Sequence, residues 1–264
     1  MLLLSADFGG GCFERETHRA ACLLQKLTPE KCPFKGFGLP LTAYHAYLPS
    51  ALENQPILQT KNLRYSYPNQ AEIRFPDLVC DRGAHLLIAG NSGSGKTTLL
   101  HLISGLLRVQ SGEVRIAGTD LGKMSQGALD KFRGSHIGLV FQQPRFITAL
   151  TAVDNVTAAQ YFGTGKSNKA EAVALLEALG IAEKACKPTG QLSGGERQRL
   201  AIARALAAKP AVVMADEPTS ALDDENADLV SKLLARQSAE YGAALVIVTH
   251  DNRLKAKFKN TVTL

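Results

Sequence analysis

The chain has 264 residues, and its proportions of 45% apolar and 20% charged residues are ordinary for a folded globular protein of one large domain, with or without a subdomain. Its apolar runs, such as AALVIV at 243–248, are far shorter than the roughly 18 residues of a membrane-spanning helix. The net charge of +6 indicates a scattered excess of lysines, and the five cysteines form no CxxC pair or zinc spacing, so we expect a soluble, intracellular protein with free thiols.

Residues 1–54 differ from the rest of the chain. They hold three of the five cysteines and four of the eleven prolines, and they show no periodic apolar pattern. We interpret them as an N-terminal extension that is poorly ordered or loosely packed. An incorrectly assumed translation start would explain such a segment, and a small docking element is the alternative.

From residue 55 onward, short apolar strands alternate with amphipathic helices, which predicts an α/β domain over residues 55–264. Several of the strands are continuous apolar runs, as is typical of buried parallel strands. The predicted strands are 57–63, 72–79, 85–89, 113–116, 136–141, 211–215 and 244–249. The predicted helices include 97–107 and 224–237, and residues 150–185 indicate a helical insert.

A glycine-rich segment follows the predicted strand 85–89. Its sequence, GNSGSGKTT, has the spacing of a phosphate-binding loop and stands between an apolar strand and an amphipathic helix. Backbone N–H groups and the helix N-terminus would hold phosphate oxygens, Lys96 would bridge the β- and γ-phosphates, and the Thr97 hydroxyl would bind Mg²⁺. The predicted phosphate-binding residues are Gly90, Asn91, Ser92, Gly93, Ser94, Gly95, Lys96, Thr97 and Thr98.

Two adjacent carboxylates end the apolar run 211–215. In α/β sheets, ligands bind at the carboxyl ends of the strands. We expect Asp216 to hold Mg²⁺ and Glu217 to orient and partly deprotonate an attacking water. The phosphate loop upstream makes this interpretation more specific than the two carboxylates would be alone.

Polar side chains also end two other apolar strands. His250 follows the strand 244–249 and is predicted to contact the γ-phosphate or the water, although a histidine at a strand end is commonly a surface residue. Gln142 follows the strand 136–141, and its amide oxygen is predicted to reach Mg²⁺ or the attacking water. Gln143 is the alternative for that role.

A tyrosine near the start of the α/β region is predicted to bind the base. Stacking on adenine requires an aromatic face and contributes about 1–3 kcal/mol per base. Tyr65 and Tyr67 point the same way on the strand, and either could be a core or surface residue. We favour Tyr67 because it stands at the strand end, immediately before Pro68.

A second glycine pair opens a helix in QLSGGERQRLAIARAL, residues 191–206. Glycines at a helix N-terminus commonly offer backbone N–H groups to an anion. The chain therefore has two predicted anion sites, although it has one phosphate loop.

These segments together resemble the ATP-binding cassette (ABC) family over residues 55–264. The matching motifs, in the family's order, are GNSGSGKTT (Walker A), VFQQ (Q-loop), LSGGE (signature), VVMADE (Walker B), SALD (D-loop) and THD (H-loop). The resemblance implies an α/β P-loop NTPase fold of ABC type, with a mixed-sheet core and a helical subdomain at about 143–208.

The family's architecture also accounts for the second anion site. Two cassettes pack head to tail, so that each ATP lies between Walker A of one chain and the signature of the other. The resemblance therefore implies that Ser193, Gly194, Gly195 and Asp223 bind the nucleotide of a second copy or of a similar cassette. ATP and Mg²⁺ are the implied cofactors.

The resemblance implies a Mg²⁺-dependent ATPase that powers a membrane transporter with separate transmembrane permease subunits. Such a subunit lies peripherally on the cytoplasmic face of the inner (plasma) membrane and has no direct nucleic-acid partner. LSGGERQRLAIARAL is similar to the lipoprotein-releasing and macrolide-exporter group, whereas PTSALD is frequent in amino-acid importers, and we favour export.

Two other functions compete with transport. A soluble ABC ATPase acting on nucleic acid or protein complexes would resemble condensin or Rad50, but those carry a long coiled coil between Walker A and the signature, which this chain does not. A P-loop kinase of small molecules would leave the signature unexplained. The transported substrate cannot be read from this chain, because its contacts lie in the permease.

Overall fold

The structure is a computed structural model, and it describes residues 56–264 except Ser92, Ala221, Ala256 and Lys259. The extension predicted over residues 1–54 lies outside the described residues. The strands of the described part are β1 (Leu58–Tyr65), β2 (Ile73–Arg74), β3 (Val79–Cys80), β4 (His85–Ala89), β5 (Ser111–Ile116), β6 (Thr119–Asp120), β7 (Ile137–Val140), β8 (Val212–Asp216), β9 (Ala244–Thr249) and β10 (Thr261–Thr263). Its α-helices are α1 (Lys96–Ile103), α2 (Gln126–His136), α3 (Ala152–Thr164), α4 (Lys169–Ala178), α5 (Gly194–Leu206), α6 (Asp224–Glu240) and α7 (Asn252–Lys255). In this part of the chain, none of the helices combines the length and the apolar character that crossing a membrane requires.

A parallel sheet forms the centre of the fold, with strand order β10–β4–β9–β8–β7. Every residue of β8 and β9 is buried, because apolar clusters cover both faces of the sheet. Continuous apolar runs are what such doubly covered strands require. The prediction of buried parallel strands is therefore confirmed, and the carboxyl ends of β4, β7, β8 and β9 meet at one edge.

A second, antiparallel sheet packs β2–β1–β5–β6 in order, and β3 also pairs with β1. Its apolar residues join those of α1 and one face of the parallel sheet in a single cluster. The two sheets and the surrounding helices confirm the predicted α/β fold with parallel and antiparallel strands.

Several predicted elements differ from the structure. The strand predicted over 72–79 is wrong: β2 and β3 are separate short strands, and Pro76, which has no backbone N–H, lies between them. The helix predicted over 97–107 ends at Ile103, since Gly105 has a φ of +69° and turns the chain. Leu106 and Leu229, apolar residues within the predicted helices 97–107 and 224–237, are both 41% exposed.

The predicted helical insert over 150–185 is confirmed as α3 and α4, followed by α5. Thr151 caps α3 and Asn168 caps α4, each accepting a hydrogen bond from a backbone N–H group of the first turn. Apolar side chains of α3, α4 and α5 pack together with one face of the parallel sheet.

Candidate nucleotide site

A cavity of about 760 Å³ opens where the carboxyl ends of β4, β8 and β9 meet. It brings together most of the predicted site residues, as the sheet topology requires. The predicted residues that line it are Tyr67, Gly90, Asn91, Gly93, Gly95, Lys96, Thr97, Thr98, Gln142, Glu217 and His250. Ser92 lies outside the described residues, and Ser94 and Asp216 are not among the lining residues.

The loop between β4 and α1 has the backbone that a phosphate cradle needs. Gly95 precedes α1 with a φ of +92°, a conformation that side-chain-bearing residues rarely adopt. A Cβ atom on Gly90 would stand 2.6 Å from the Ser94 hydroxyl oxygen. The Lys96 ammonium donates hydrogen bonds to the carbonyl oxygens of Gly90 at 3.0 Å and Asn91 at 2.7 Å. The Lys96 ammonium thus lies within the loop that is predicted to bind phosphate.

Asp216, the last residue of β8, is 7% exposed. Its Oδ2 accepts a hydrogen bond from the Thr97 hydroxyl at 3.2 Å, while its Oδ1 is buried with no hydrogen-bond partner among the described residues. Burial raises the pKa of this carboxyl, and the hydrogen bond from Thr97 opposes that shift. A hydroxyl beside a carboxylate with an unsatisfied oxygen fits a Mg²⁺ ion, which prefers oxygen ligands.

Glu217 follows directly and is 8% exposed, with an uncommon positive φ of 46°. Its Oε2 accepts a hydrogen bond from the Thr249 hydroxyl at 2.8 Å. Its Oε1 accepts one from the backbone N–H of His250 at 3.1 Å and lies 2.6 Å from the Nδ1 of that imidazole. The end of β9 therefore fixes the Glu217 carboxylate at the cavity, and the unusual backbone is typical of functional positions.

In each of the two predicted pairs of alternatives, Gln142 or Gln143 and Tyr67 or Tyr65, one residue lines the cavity and the other does not. Gln142 lines the cavity, and its side-chain N–H donates to the Ser220 hydroxyl at 3.3 Å, whereas Gln143 does not line it. Tyr67 lines the cavity with its hydroxyl 3.2 Å from that of Thr98, while Tyr65 packs edge to face against the Tyr67 ring.

The signature residues do not line this cavity. Ser193 caps α5 by accepting a hydrogen bond from the backbone N–H of Glu196, whose carboxylate accepts one from the backbone N–H of Ser193. That second bond lowers the pKa of Glu196. Gly194, Gly195 and Asp223, the residue that caps α6, do not line the cavity either.

Sequence reasoning missed three lining residues, Gln70, Ile73 and Lys255. Gln70 closes a turn by donating its backbone N–H to the carbonyl of Tyr67. The Pro68 turn signal could have placed Gln70 beside the predicted tyrosine. Lys255 belongs to a run of basic residues after His250. The sequence shows this run but does not indicate that the Lys255 side chain reaches the cavity.

This chain is similar to several known proteins. A statistical model of the family described as "ABC transporter" matches residues 76–220. The lipoprotein-releasing system ATP-binding protein LolD of Porphyromonas gingivalis is 39% identical over 203 residues, covering 76% of this chain and 92% of that protein. The uncharacterized ABC transporter ATP-binding protein YbbA of Escherichia coli is 42% identical over 183 residues, covering 69% and 80%. A dimeric ATP-binding cassette solved in a post-hydrolysis state with ADP and Pi is 33% identical, with a TM-score of 0.70, and the match covers 78% of this chain and 94% of that one.

Proposed function

Because the chain belongs to the ABC transporter family, we propose that it is the Mg²⁺-dependent ATP-hydrolysing subunit of a membrane exporter, and that it works as a dimer of cassettes. The observation that carries the proposal is the meeting of the phosphate loop, Asp216, Glu217 and His250 at one sheet edge. Such a set binds phosphates, holds a cation and activates water within one cavity.

ATP binding follows from the loop between β4 and α1. Its backbone N–H groups and the N-terminus of α1 face the phosphates, and Lys96 exchanges its two carbonyl partners for phosphate oxygens. Tyr67 offers its ring to adenine. Thr97, Asp216 and Gln142 would hold Mg²⁺, which would supply positive charge beside the phosphates.

Hydrolysis follows from the pair of Glu217 and His250. The Glu217 carboxylate accepts a proton from the attacking water, so that oxygen attacks phosphorus as the bond to ADP breaks. His250 keeps its Nδ1 on that carboxylate, and its side chain is 63% exposed, so the imidazole is available to the γ-phosphate. The histidine therefore orients the base and contacts the γ-phosphate.

Dimer formation is supported by the exposed signature. Ser193 and Gly194 are exposed and do not line the chain's own nucleotide cavity, and Asp223 is also exposed. Together with Gly195 they would meet the nucleotide bound by a second copy or a similar cassette. The dimeric solved relative supports this arrangement.

A groove beside the sheet supports attachment to permease subunits. It has a volume of about 840 Å³ and runs between β7 and the helices α2, α3 and α5. Phe141 and Phe162 line it and are 39% and 75% exposed, and Arg145 and Arg204 supply polar groups. A cytoplasmic helix of a permease would dock there, holding the cassette on the inner face of the membrane. The relative named for a lipoprotein-releasing system favours export.

A capture experiment tests the proposal. Tagged chain carrying Glu217→Gln would be expressed, and membranes solubilised in detergent would be passed over it with Mg-ATP. We expect a polytopic membrane protein to be recovered, and recovery to fall when Phe162→Asp is added in the groove. Glu171→Gln, at an exposed position of α4, serves as a control. Recovery of soluble proteins or nucleic acid, with no membrane protein, would contradict the transporter function and favour the soluble ABC ATPase.

A further inference from the structure

Side chains from two segments pair in chain order along the carboxyl edge of the parallel sheet. One segment, 217–224 apart from Ala221, runs from the end of β8 to the first residue of α6, and the other, 249–253, runs from the last residue of β9 into α7. We call their three side-chain pairs the clasp: Glu217 with Thr249, Thr219 with Asp251, and Asp224 with Arg253.

The first two pairs are short and sheltered. Thr249 donates to Glu217 at 2.8 Å, and the Thr219 hydroxyl donates to Asp251 Oδ2 at 3.0 Å. Thr219 and Thr249 are fully buried, and the backbone N–H of Asp251 also donates to the Thr249 hydroxyl at 2.9 Å. Thr249 and Asp251 of the second segment are therefore both held to the first segment by side-chain hydrogen bonds.

Arg253 closes the clasp at the surface. Its guanidinium donates to both Asp251 oxygens, at 2.7–2.9 Å, and also to the carboxylate of Asp224, the first residue of α6. A guanidinium can hold two carboxylates at once in a fixed plane, which an ammonium group cannot reproduce. Arg253 thus joins the loop after β9 to the N-terminus of α6.

The two ends of the clasp have different chemistry. At one end Glu217 contacts His250 at the nucleotide cavity, and at the other end Asp223 and Asp224 stand exposed at the start of α6. The segment between them leads from the water-activating carboxylate to the residue proposed to meet the second cassette. A displacement of α6 at its N-terminus therefore acts on the position of Asp251 and, through Thr249, on Glu217.

We infer that Arg253 is a positioning residue that couples the exposed start of α6 to the Glu217–His250 pair, so that ATP hydrolysis responds to the partner cassette. The inference rests on the proposed function. Arg253 itself does not line the nucleotide cavity, so it acts through Asp251 and Asp224.

The chain provides a matched control in Lys257, whose partner Asp228 lies one turn beyond Asp224 along α6. Lys257 donates to Asp228 Oδ1 at 2.6 Å and to the Ser231 hydroxyl at 3.0 Å, so it too ties the chain after β9 to α6. Lys257 and Arg253 have similar exposure, 36% and 40% of their side chains. Lys257 has no contact with Asp251 or Asp224 among the described residues, so it bridges the same two elements outside the clasp.

A kinetic double-mutant cycle tests the inference, using the full chain with Arg253→Ala, Asp224→Asn, both together, and Lys257→Ala. We expect Arg253→Ala to lower kcat for ATP about three- to tenfold, with KM and the Kd for Mg-ATP within about twofold. The double variant should be no slower than Arg253→Ala, and Lys257→Ala should match the unmodified chain. A thermal melt of each variant checks folding. If Arg253→Ala does not fold, Arg253→Lys, which keeps the charge without the fork, replaces it and should lower kcat with KM within about twofold.

Three results would overturn the inference while the proposed function stands: kcat unchanged in Arg253→Ala, single effects that multiply in the double variant, or an equal loss in Lys257→Ala. Each presupposes that the unmodified chain hydrolyses ATP and that Glu217→Gln forms an ATP-dependent dimer. Absence of both properties would overturn the proposed function and the inference together.

Discussion

Replacing Glu217 by glutamine tests the proposed chemistry with little structural change, because its contacts suit an amide. The amide oxygen can accept the hydrogen bonds that Oε1 now receives from His250, at 3.1 and 2.6 Å. The amide N–H can donate to the Thr249 hydroxyl, which lies 2.8 Å from Oε2 and keeps an oxygen able to accept. The hydrogen of the buried Thr249 hydroxyl then loses the carboxylate oxygen that accepts it, so we expect the free energy of unfolding to fall by about 1–3 kcal/mol.

The effect on catalysis should be far larger. An amide cannot accept the proton from water, and a positioned general base contributes about 10²- to 10⁴-fold to a rate. We therefore expect phosphate release at saturating Mg-ATP to fall by that factor in Glu217→Gln, while ATP binding, measured by calorimetry, is retained and gel filtration with ATP shows a dimer. Glu171→Gln, which alters an exposed carboxylate paired with Lys209, is the control. A Glu217→Gln rate within tenfold of the unmodified chain would refute the assignment of the base.

Three further changes address the metal site, the phosphate loop and the clasp. Burial raises the folded-state pKa of Asp216, so its ionised form costs stability at neutral pH, and this cost disappears as the pH falls. Asp216→Asn should therefore raise Tm at pH 7 in metal-free buffer, and it should abolish Mg²⁺-dependent ATPase activity. A lower Tm of this variant by calorimetry would contradict the prediction. Gly90→Ala places a Cβ 2.6 Å from the Ser94 hydroxyl and should cost about 1–3 kcal/mol in denaturant unfolding, whereas Gly127→Ala, in α2 with nothing within 4 Å, should be neutral or stabilising by up to about 1 kcal/mol. The pKa of Asp251 is lowered to about 2, mainly by the hydrogen bonds from Arg253. The carboxylate therefore contributes stability above the ordinary pKa of 3.8, and this contribution is lost as the pH falls toward 2. The Tm advantage of the unmodified chain over Asp251→Asn should shrink over that interval.

The residues at the sheet edge could be predicted because their signal is local. A continuous apolar run requires burial on both faces, and a polar residue directly after it must stand at the carboxyl edge. Asp216, Glu217 and His250 each follow such a run, and the structure brings them together. Their chemical roles stay predictions until the variants above are measured.

Other features depend on contacts between distant parts of the chain. Strand β10, Thr261–Thr263, is short and mostly exposed, and it becomes a strand by pairing with β4. The cavity residues Ile73 and Lys255 come from segments far apart in sequence and carry no motif. The clasp likewise joins residues about 30 positions apart, and no periodicity in the sequence indicates its register.

The hydrogen bonds of Lys96 bear on the entropy of nucleotide binding. Fixing a free lysine side chain costs up to about 2 kcal/mol in lost rotamer freedom. Here the two bonds from its ammonium to the carbonyl oxygens of Gly90 and Asn91 already fix that side chain. The entropy cost of ordering this side chain is therefore incurred on folding. When phosphate binds, the ammonium exchanges hydrogen-bond partners without a further loss of rotamer freedom. The enthalpy of ATP binding accordingly contains the difference between two sets of hydrogen bonds rather than the full strength of the new set.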